Sequence, residues 1–87
     1  MPRIARPVFP SVPHHITQRG NRRERVFFND EDRTAYLAWL REYCLKHEVQ
    51  VLAYCLMTNH IHVVAVPASE EALQNVFRPL HTRYAQR

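Results

Sequence analysis

The sequence predicts a mixed α+β domain, and three observations carry that prediction. The chain has 87 residues, one small domain on a scale where domains run to about 100–150 residues. Two apolar stripes recur at helical spacing, one from Tyr36 to Cys44 and one from Leu73 to Tyr84. Three β-branched and aromatic runs surround the first stripe. A hydrophobic fraction of 46% with four Phe, four Tyr and Trp39 argues for a packed core and against disorder. The single glycine, Gly20, excludes a glycine-rich phosphate loop and a collagen-like repeat. The longest apolar run, Val51 to Met57, has seven residues, far below the ~20 of a membrane-spanning helix. The N-terminal stretch lacks the pattern of a secretory signal. Cys44 and Cys55 lack metal-type spacing. Both are expected as reduced core thiols of a cytoplasmic protein.

Residues 1–13 hold four prolines (Pro2, Pro7, Pro10, Pro13) and are expected as an extended arm preceding a domain at 14–87, since proline suits neither helix interiors nor central strands. His14 to Arg19 alternates and is rich in β-formers, which makes it the first strand. Gly20-Asn21-Arg22-Arg23 is the one glycine-marked turn. Val26-Phe27-Phe28 is a short apolar stop, after which Asn29 or Asp30 can cap a helix whose acidic start suits its positive end. That helix runs to about His47, with Tyr36, Leu37, Leu40, Tyr43 and Cys44 on one stripe. Val49–Met57 and His60–Val66, joined by Thr58-Asn59, read as a hairpin. Ser69 with Glu70 and Glu71 marks a second helix start, and Pro79 should bend that helix. The β-α-β-β-α order resembles a ferredoxin-like sheet with both helices on one face and the closing strand missing. Such a sheet keeps one uncovered face and an unpaired edge.

Charge is unevenly spread. Residues 1–29 carry six arginines against Glu24, residues 30–75 are net acidic, and residues 76–87 add Arg78, Arg83 and Arg87. Eleven of the twelve basic residues are arginine, whose planar fork of donors matches phosphate better than the point charge of lysine. This pattern points to a directed phosphate-binding face, with Arg19, Arg22, Arg23 and Arg25 clustered around the turn.

His60-Ile61-His62 is the most informative triplet. In a strand, residues i and i+2 share a face with Cα atoms about 6.6–6.8 Å apart, so two imidazoles can converge on one metal ion at roughly 2.0–2.2 Å. Ile61 and Val63 would then point into the core. Two ligands leave a site to be completed by a third protein group or by substrate oxygens. His15 is a candidate to join them if its strand neighbours theirs; the sequence does not fix its facing.

With these segments in place, the chain resembles the single-tyrosine HUH transposases, and among them the REP-associated tyrosine transposases. His14 to Asn21 resembles the family's opening strand and basic turn. Leu56-Met57-Thr58-Asn59-His60-Ile61-His62-Val63-Val64 is similar to its Met-x-Asn-His-x-His block, and His81-Thr82-Arg83-Tyr84-Ala85 to its second-helix Arg-Tyr segment. The resemblance implies cutting and rejoining of single-stranded or hairpin DNA. It implies Mg2+ or Mn2+ held by His60 and His62, and DNA contacts from Arg19, Asn21, Arg22, Arg23 and Arg25. A tyrosine would attack phosphorus and give a 5′-phosphotyrosine.

In the family the nucleophile lies on a later helix marked by a Tyr-Ile-x-Asn-type segment, which this sequence does not contain. The expectation is therefore a catalytically incomplete N-terminal portion of such a transposase. Tyr84 is the only tyrosine after the histidine pair and hence a candidate nucleophile, but its spacing sets it on the apolar stripe with Leu73, Phe77 and Leu80. A second reading is a non-catalytic nucleic-acid binding module that uses the arginine-rich turn and the open sheet face. A third is a fragment that pairs its bare edge with another copy as a homodimer.

Overall fold

A computed structural model describes residues 8–20 and 25–86 of the chain. Five elements follow in the expected order: β1 (His14–Arg19), α1 (Asp30–His47), β2 (Val49–Leu56), β3 (His60–Pro67) and α2 (Ala72–Ala85). The strands form one sheet in the order β1-β3-β2, and β3 pairs antiparallel with both neighbours. β1 and β2 thus run parallel, with α1 as the crossover between them. The result is a ferredoxin-like α+β arrangement whose sheet does not close.

Burial along β3 alternates strictly. Ile61, Val63, Ala65 and Pro67 are buried, while His60, His62, Val64 and Val66 are half-buried on the other face. Both helices pack against the first set. Tyr36, Leu40 and Cys44 of α1 and Leu73, Val76, Phe77, Leu80 and Tyr84 of α2 complete the core, so both helical stripes face the sheet as their spacing predicts. Phe27, fully buried although it belongs to no regular element, wedges between Tyr36 and Tyr84 with ring centroids 5.6 and 5.5 Å away.

The helix ends follow their local chemistry. The Asn29 side chain accepts from the N–H of Asp32 at 2.8 Å and caps α1. Glu48 ends it in the left-handed region (φ 57°, ψ 53°), and its N–H donates to the carbonyl of Cys44. The start of α2 differs from expectation. Residues 69–71 form a turn, the helix begins at Ala72, and the flanking Glu71 makes no side-chain capping bond. Glu71 already has helical dihedrals (φ −89°, ψ −11°), outside the β-region geometry a side-chain cap uses. α2 continues through Pro79 as one helix, although Pro79 offers no N–H to the carbonyl of Asn75. Of the arm, residues 8–13 are described. They contain a turn at 10–12, with Ser11 at φ 64° and its N–H bonded to the carbonyl of Pro67 at 2.8 Å.

One cysteine expectation fails. Cys44 is buried and free as expected, and burial pushes its thiol up to about 11. Cys55 is free but exposed. The register of β2 shifts between Val51 and Ala53, leaving Leu52 as a bulge residue. Beyond the bulge, Cys55 pairs with His62 and so lies on the uncovered face of the sheet. An extra residue in a period-two element inverts the facing of everything after it, and the run Val51–Met57 is apolar on both parities, so composition could not reveal the inversion.

The core holds a titratable pair. The Tyr36 hydroxyl and His81 Nε2 lie 2.8 Å apart, with the rings stacked. Burial raises the Tyr36 phenol well above its ordinary range and pulls His81 down to about 4 from an ordinary 6.5. Between those two values the unfolded chain binds a proton at His81 that the folded chain does not, so stability is full above pH 6.5 and declines as pH falls towards 4. The decline attributable to His81 is about 3 kcal/mol, at about 1.4 kcal/mol per pKa unit. Chemical denaturation from pH 7 to 4 should show this loss, and His81→Gln should flatten the slope across that window.

Candidate functional site

The uncovered face of the sheet is assembled by pairing across β3. Antiparallel register sets Arg19 opposite His60, Thr17 opposite His62 and His15 opposite Val64. Directly paired residues project to the same side. From β2, Cys55 stands opposite His62 on the same side. His60, His62, His15, Thr17, Arg19 and Cys55 therefore share one surface. They are reached from three strands, and no described helix covers them.

The imidazoles interact with one another. The His60 and His62 ring centroids are 4.8 Å apart with the planes nearly perpendicular, at 85°. His15 stacks on His62 at 5.0 Å and 14°, with His15 Nε2 2.9 Å from His62 Nδ1. The Thr17 hydroxyl lies 3.5 Å from the same His15 nitrogen. His60 Nδ1 is 2.7 Å from Asn59 Oδ1, and because a carbonyl oxygen can only accept, His60 carries a proton on Nδ1 and donates it there. Neither His60 Nε2 nor His62 Nε2 makes a hydrogen bond among the described residues. The His62 imidazole is held below the usual histidine range, first by partial removal from water and then by the positive charge that His60, His15 and Arg19 place beside it. It is therefore neutral at pH 7, as a ligating imidazole must be.

Among the described residues, no group of three or more His, Cys, Asp or Glu side chains is arranged to hold a metal ion. His15 does not complete a triad because its nearest ring nitrogen is engaged with His62 Nδ1. The donor set on this face is thus two imidazole nitrogens, each with its other nitrogen tied to a neighbour. An outer hydrogen bond of that kind is the usual means of fixing the tautomer and direction of a ligating histidine.

Of the basic residues singled out in the sequence, Arg19 is exposed on this surface beside His60. Arg25 is exposed, and its guanidinium lies over the Phe28 ring, 5.5 Å from the centroid. Asn21, Arg22 and Arg23 lie outside the described residues. Both ends of that segment are pinned to the β2–β3 turn. The Gly20 N–H donates to the Asn59 carbonyl at 3.0 Å, and the N–H groups of Val26 and Phe27 both donate to the Thr58 carbonyl, at 2.7 and 3.1 Å. Gly20 on one side and Val26 and Phe27 on the other are therefore fastened to the residues that introduce His60. Sequence reasoning quoted Asn59 without giving it a role, and it left the facing of His15 open. The side-chain bond to His60 decides the first, and strand register the second.

Tyr84 lies on the covered side. It is 6% exposed, its hydroxyl donates to the Val26 carbonyl at 2.8 Å, and its ring packs against Phe27, Tyr36 and Trp39. A cleft of about 390 Å³ between the end of β1 and the C-terminal turns of α2 is lined in part by Tyr84, His81 and Arg19, but by neither His60 nor His62.

The fold and this face together define an open-faced α+β domain with an imidazole pair on its central strand and Arg19 beside it on the edge strand. The comparison with protein families narrows this. The model of the family described as Transposase IS200 like matches residues 9–87, and the chain belongs to that family. It is a transposase domain, and membership of that family implies an interaction with DNA. No curated protein and no solved structure matches the chain. No helix among the described residues is long and apolar enough to cross a membrane.

The bond from Tyr84 ties α2 to the segment that follows the basic turn. Tyr84→Phe keeps the ring and leaves the Val26 carbonyl without that donor, so a loss of about 1–3 kcal/mol in unfolding free energy is expected. Tyr84→Ala should lose about 3–5 kcal/mol. Paired denaturation curves check both values.

Proposed function

We propose that this chain is the DNA-handling part of a transposase that cuts and rejoins single-stranded DNA, of the REP-associated kind. His60 and His62 hold Mg2+ or Mn2+ at a DNA phosphate, and Arg19, Asn21, Arg22, Arg23 and Arg25 bind the strand beside it. One observation supports this most: the β1–β3 register that sets Arg19 directly opposite His60, with His62 two residues along the same uncovered face. Such a surface offers two imidazole nitrogen donors and a guanidinium fork within one strand spacing. Phosphate oxygens can fill the positions that two protein ligands leave open.

When bound, the cation withdraws charge from the phosphoryl oxygens and fixes the geometry of the phosphodiester. Imidazole donors favour Mn2+ over the harder Mg2+. The remaining work falls to the chain itself. Asn59 keeps the proton of His60 on Nδ1, so that Nε2 stays bare. Arg19 offers its fork to a phosphate oxygen. The flat, open face leaves room for a strand or a hairpin end to lie across it.

None of the four tyrosines of the sequence is assigned as the attacking phenol. Tyr36, Tyr43 and Tyr84 lie on the helices of the covered side. Tyr54 pairs with Val63 and so also belongs to that side. No tyrosine shares the face with His60 and His62. The same distribution favours one alternative, a binding module without catalysis, which would need the arginines but not the histidines.

A single-stranded hairpin oligonucleotide and the 87-residue chain test this. Affinity should fall with salt with a slope of about −0.7 per phosphate contacted, and Arg19→Ala should flatten that slope by about one contact. Mn2+ should strengthen binding in the wild type and have no effect in His60→Ala or His62→Ala. Nicking should be absent. Binding indifferent to chelator and to His60→Ala would select the binding module instead. Salt-independent affinity would remove both readings, and nicking abolished by Tyr84→Phe would make Tyr84 the nucleophile.

A further inference from the structure

The two histidines of the pair are held differently. His60 is oriented from its own strand, by Asn59 at the preceding position, whereas His62 has no such neighbour. The group at its Nδ1 comes from 47 residues earlier in the chain: His15 Nε2 at 2.9 Å, with the two rings stacked at 5.0 Å and 14°. We infer that His15 is a positioning residue for His62, accepting the Nδ1 proton of His62 so that its Nε2 is left bare and directed away from the sheet edge partner. The inference rests on the reading of His60 and His62 as a metal pair and says how one half of that pair is kept competent.

Two tautomers satisfy the contact. In one, His62 Nδ1–H donates to His15 Nε2, and His62 Nε2 is free to ligate. In the other, His15 Nε2–H donates to His62 Nδ1, and His62 carries its one ring N–H proton on Nε2, where it blocks coordination. The Thr17 hydroxyl, 3.5 Å from His15 Nε2, can donate to that nitrogen or accept from it and so is compatible with both arrangements. In the first arrangement the design is symmetrical in chemistry and not in sequence. Each ligating ring gives its Nδ1 proton to an outer acceptor, Asn59 for His60 and His15 for His62. The stack limits rotation of His62 about its side-chain torsions, and β1, which is paired with β3 along its whole length, fixes His15 in turn. Without the acceptor, His62 would give up a directed hydrogen bond each time it adopted the ligating tautomer. Outer partners of this kind contribute about 10–100-fold in metal affinity.

His15 occupies an exposed strand position, so its variants are expected to fold, and thermal melting verifies this. His15→Phe keeps a stacked ring without nitrogens, and His15→Gln restores an acceptor oxygen. Imidazole nitrogen NMR on the metal-free chain reads the His62 tautomer directly. The wild type should be protonated at Nδ1, His15→Phe should move towards Nε2 protonation, and His15→Gln should return most of the way. Mn2+ titration should show affinity reduced about tenfold or more in His15→Phe and largely recovered in His15→Gln. If the wild type binds Mn2+ but His15→Phe matches it in tautomer and affinity, the role of His15 is overturned while the metal pair stands. If the wild type binds no Mn2+ at all, the metal pair falls and this inference falls with it.

Discussion

The parity of β3 is the constraint on which the rest of the structure depends. Its eight residues (His60–Pro67) divide between Ile61, Val63, Ala65 and Pro67 in the core and His60, His62, Val64 and Val66 outside it. As the central strand it is held from both sides, and a slip of one residue against either neighbour would drive two imidazoles into the helix-covered core and expose the apolar set. Burying two unpaired imidazoles is costly, and exposing four apolar residues forfeits about 1.5–3 kcal/mol for each large one. The same energetics that build the core therefore direct the histidines outward. No separate device is needed to present them.

β1 extends this logic to electrostatics. Its pairing with β3 places Arg19, Thr17 and His15 against His60, His62 and Val64. Neither flanking strand contributes an aspartate or glutamate to this face, since His14–Arg19 and Val49–Leu56 contain none. Among the described residues the acidic groups are Asp30, Glu31, Asp32 and Glu42 on α1, Glu48 at its end, and Glu70 and Glu71 in the turn before α2. Cationic and potentially cationic groups gathered without counter-charge among the described residues repel one another, which adds to desolvation in holding the His62 imidazole below its ordinary range. A surface of this kind is relieved by an anion, and a polyanion that runs along it relieves several groups at once.

Much of this was legible in the sequence because the fold uses periodicities that sequence displays. Tyr36, Leu40 and Cys44, and then Leu73, Val76, Phe77, Leu80 and Tyr84, read as single stripes and proved to be core. The alternation around His60 and His62 gave their facing correctly. What escaped were features fixed by pairing between distant segments. Leu52 bulges because β2 must accommodate one more residue than β3 offers, and nothing in Val51-Leu52-Ala53 marks it; Cys55 turned outward as a consequence. The facing of His15 depends on its register with residues almost fifty positions later. Phe27 belongs to no helix or strand pattern, yet it fills the gap between Tyr36 and Tyr84, a role visible only once three separate segments meet.

The distribution of the four tyrosines carries the last step. In a chain this small a phenol has two competing uses: as a packing group with a polar tip, or as a nucleophile. Tyr36 and Tyr84 are committed to packing, because their rings meet edge-on at 5.5 Å in the core and their hydroxyls are paired with His81 and the Val26 carbonyl. Freeing Tyr84 for attack would require breaking that bond, withdrawing its ring from Phe27 and carrying it around the sheet to the other face. That would dismantle the contact that fastens α2 to the segment following the basic turn. A domain of marginal stability cannot open its core at each turnover, so a phenol reaching the histidine face must come from an element not committed to this core. On the proposed reading, holding a phosphodiester and attacking it are physically separable tasks, and His60, His62 and Arg19 on the open face suit the first.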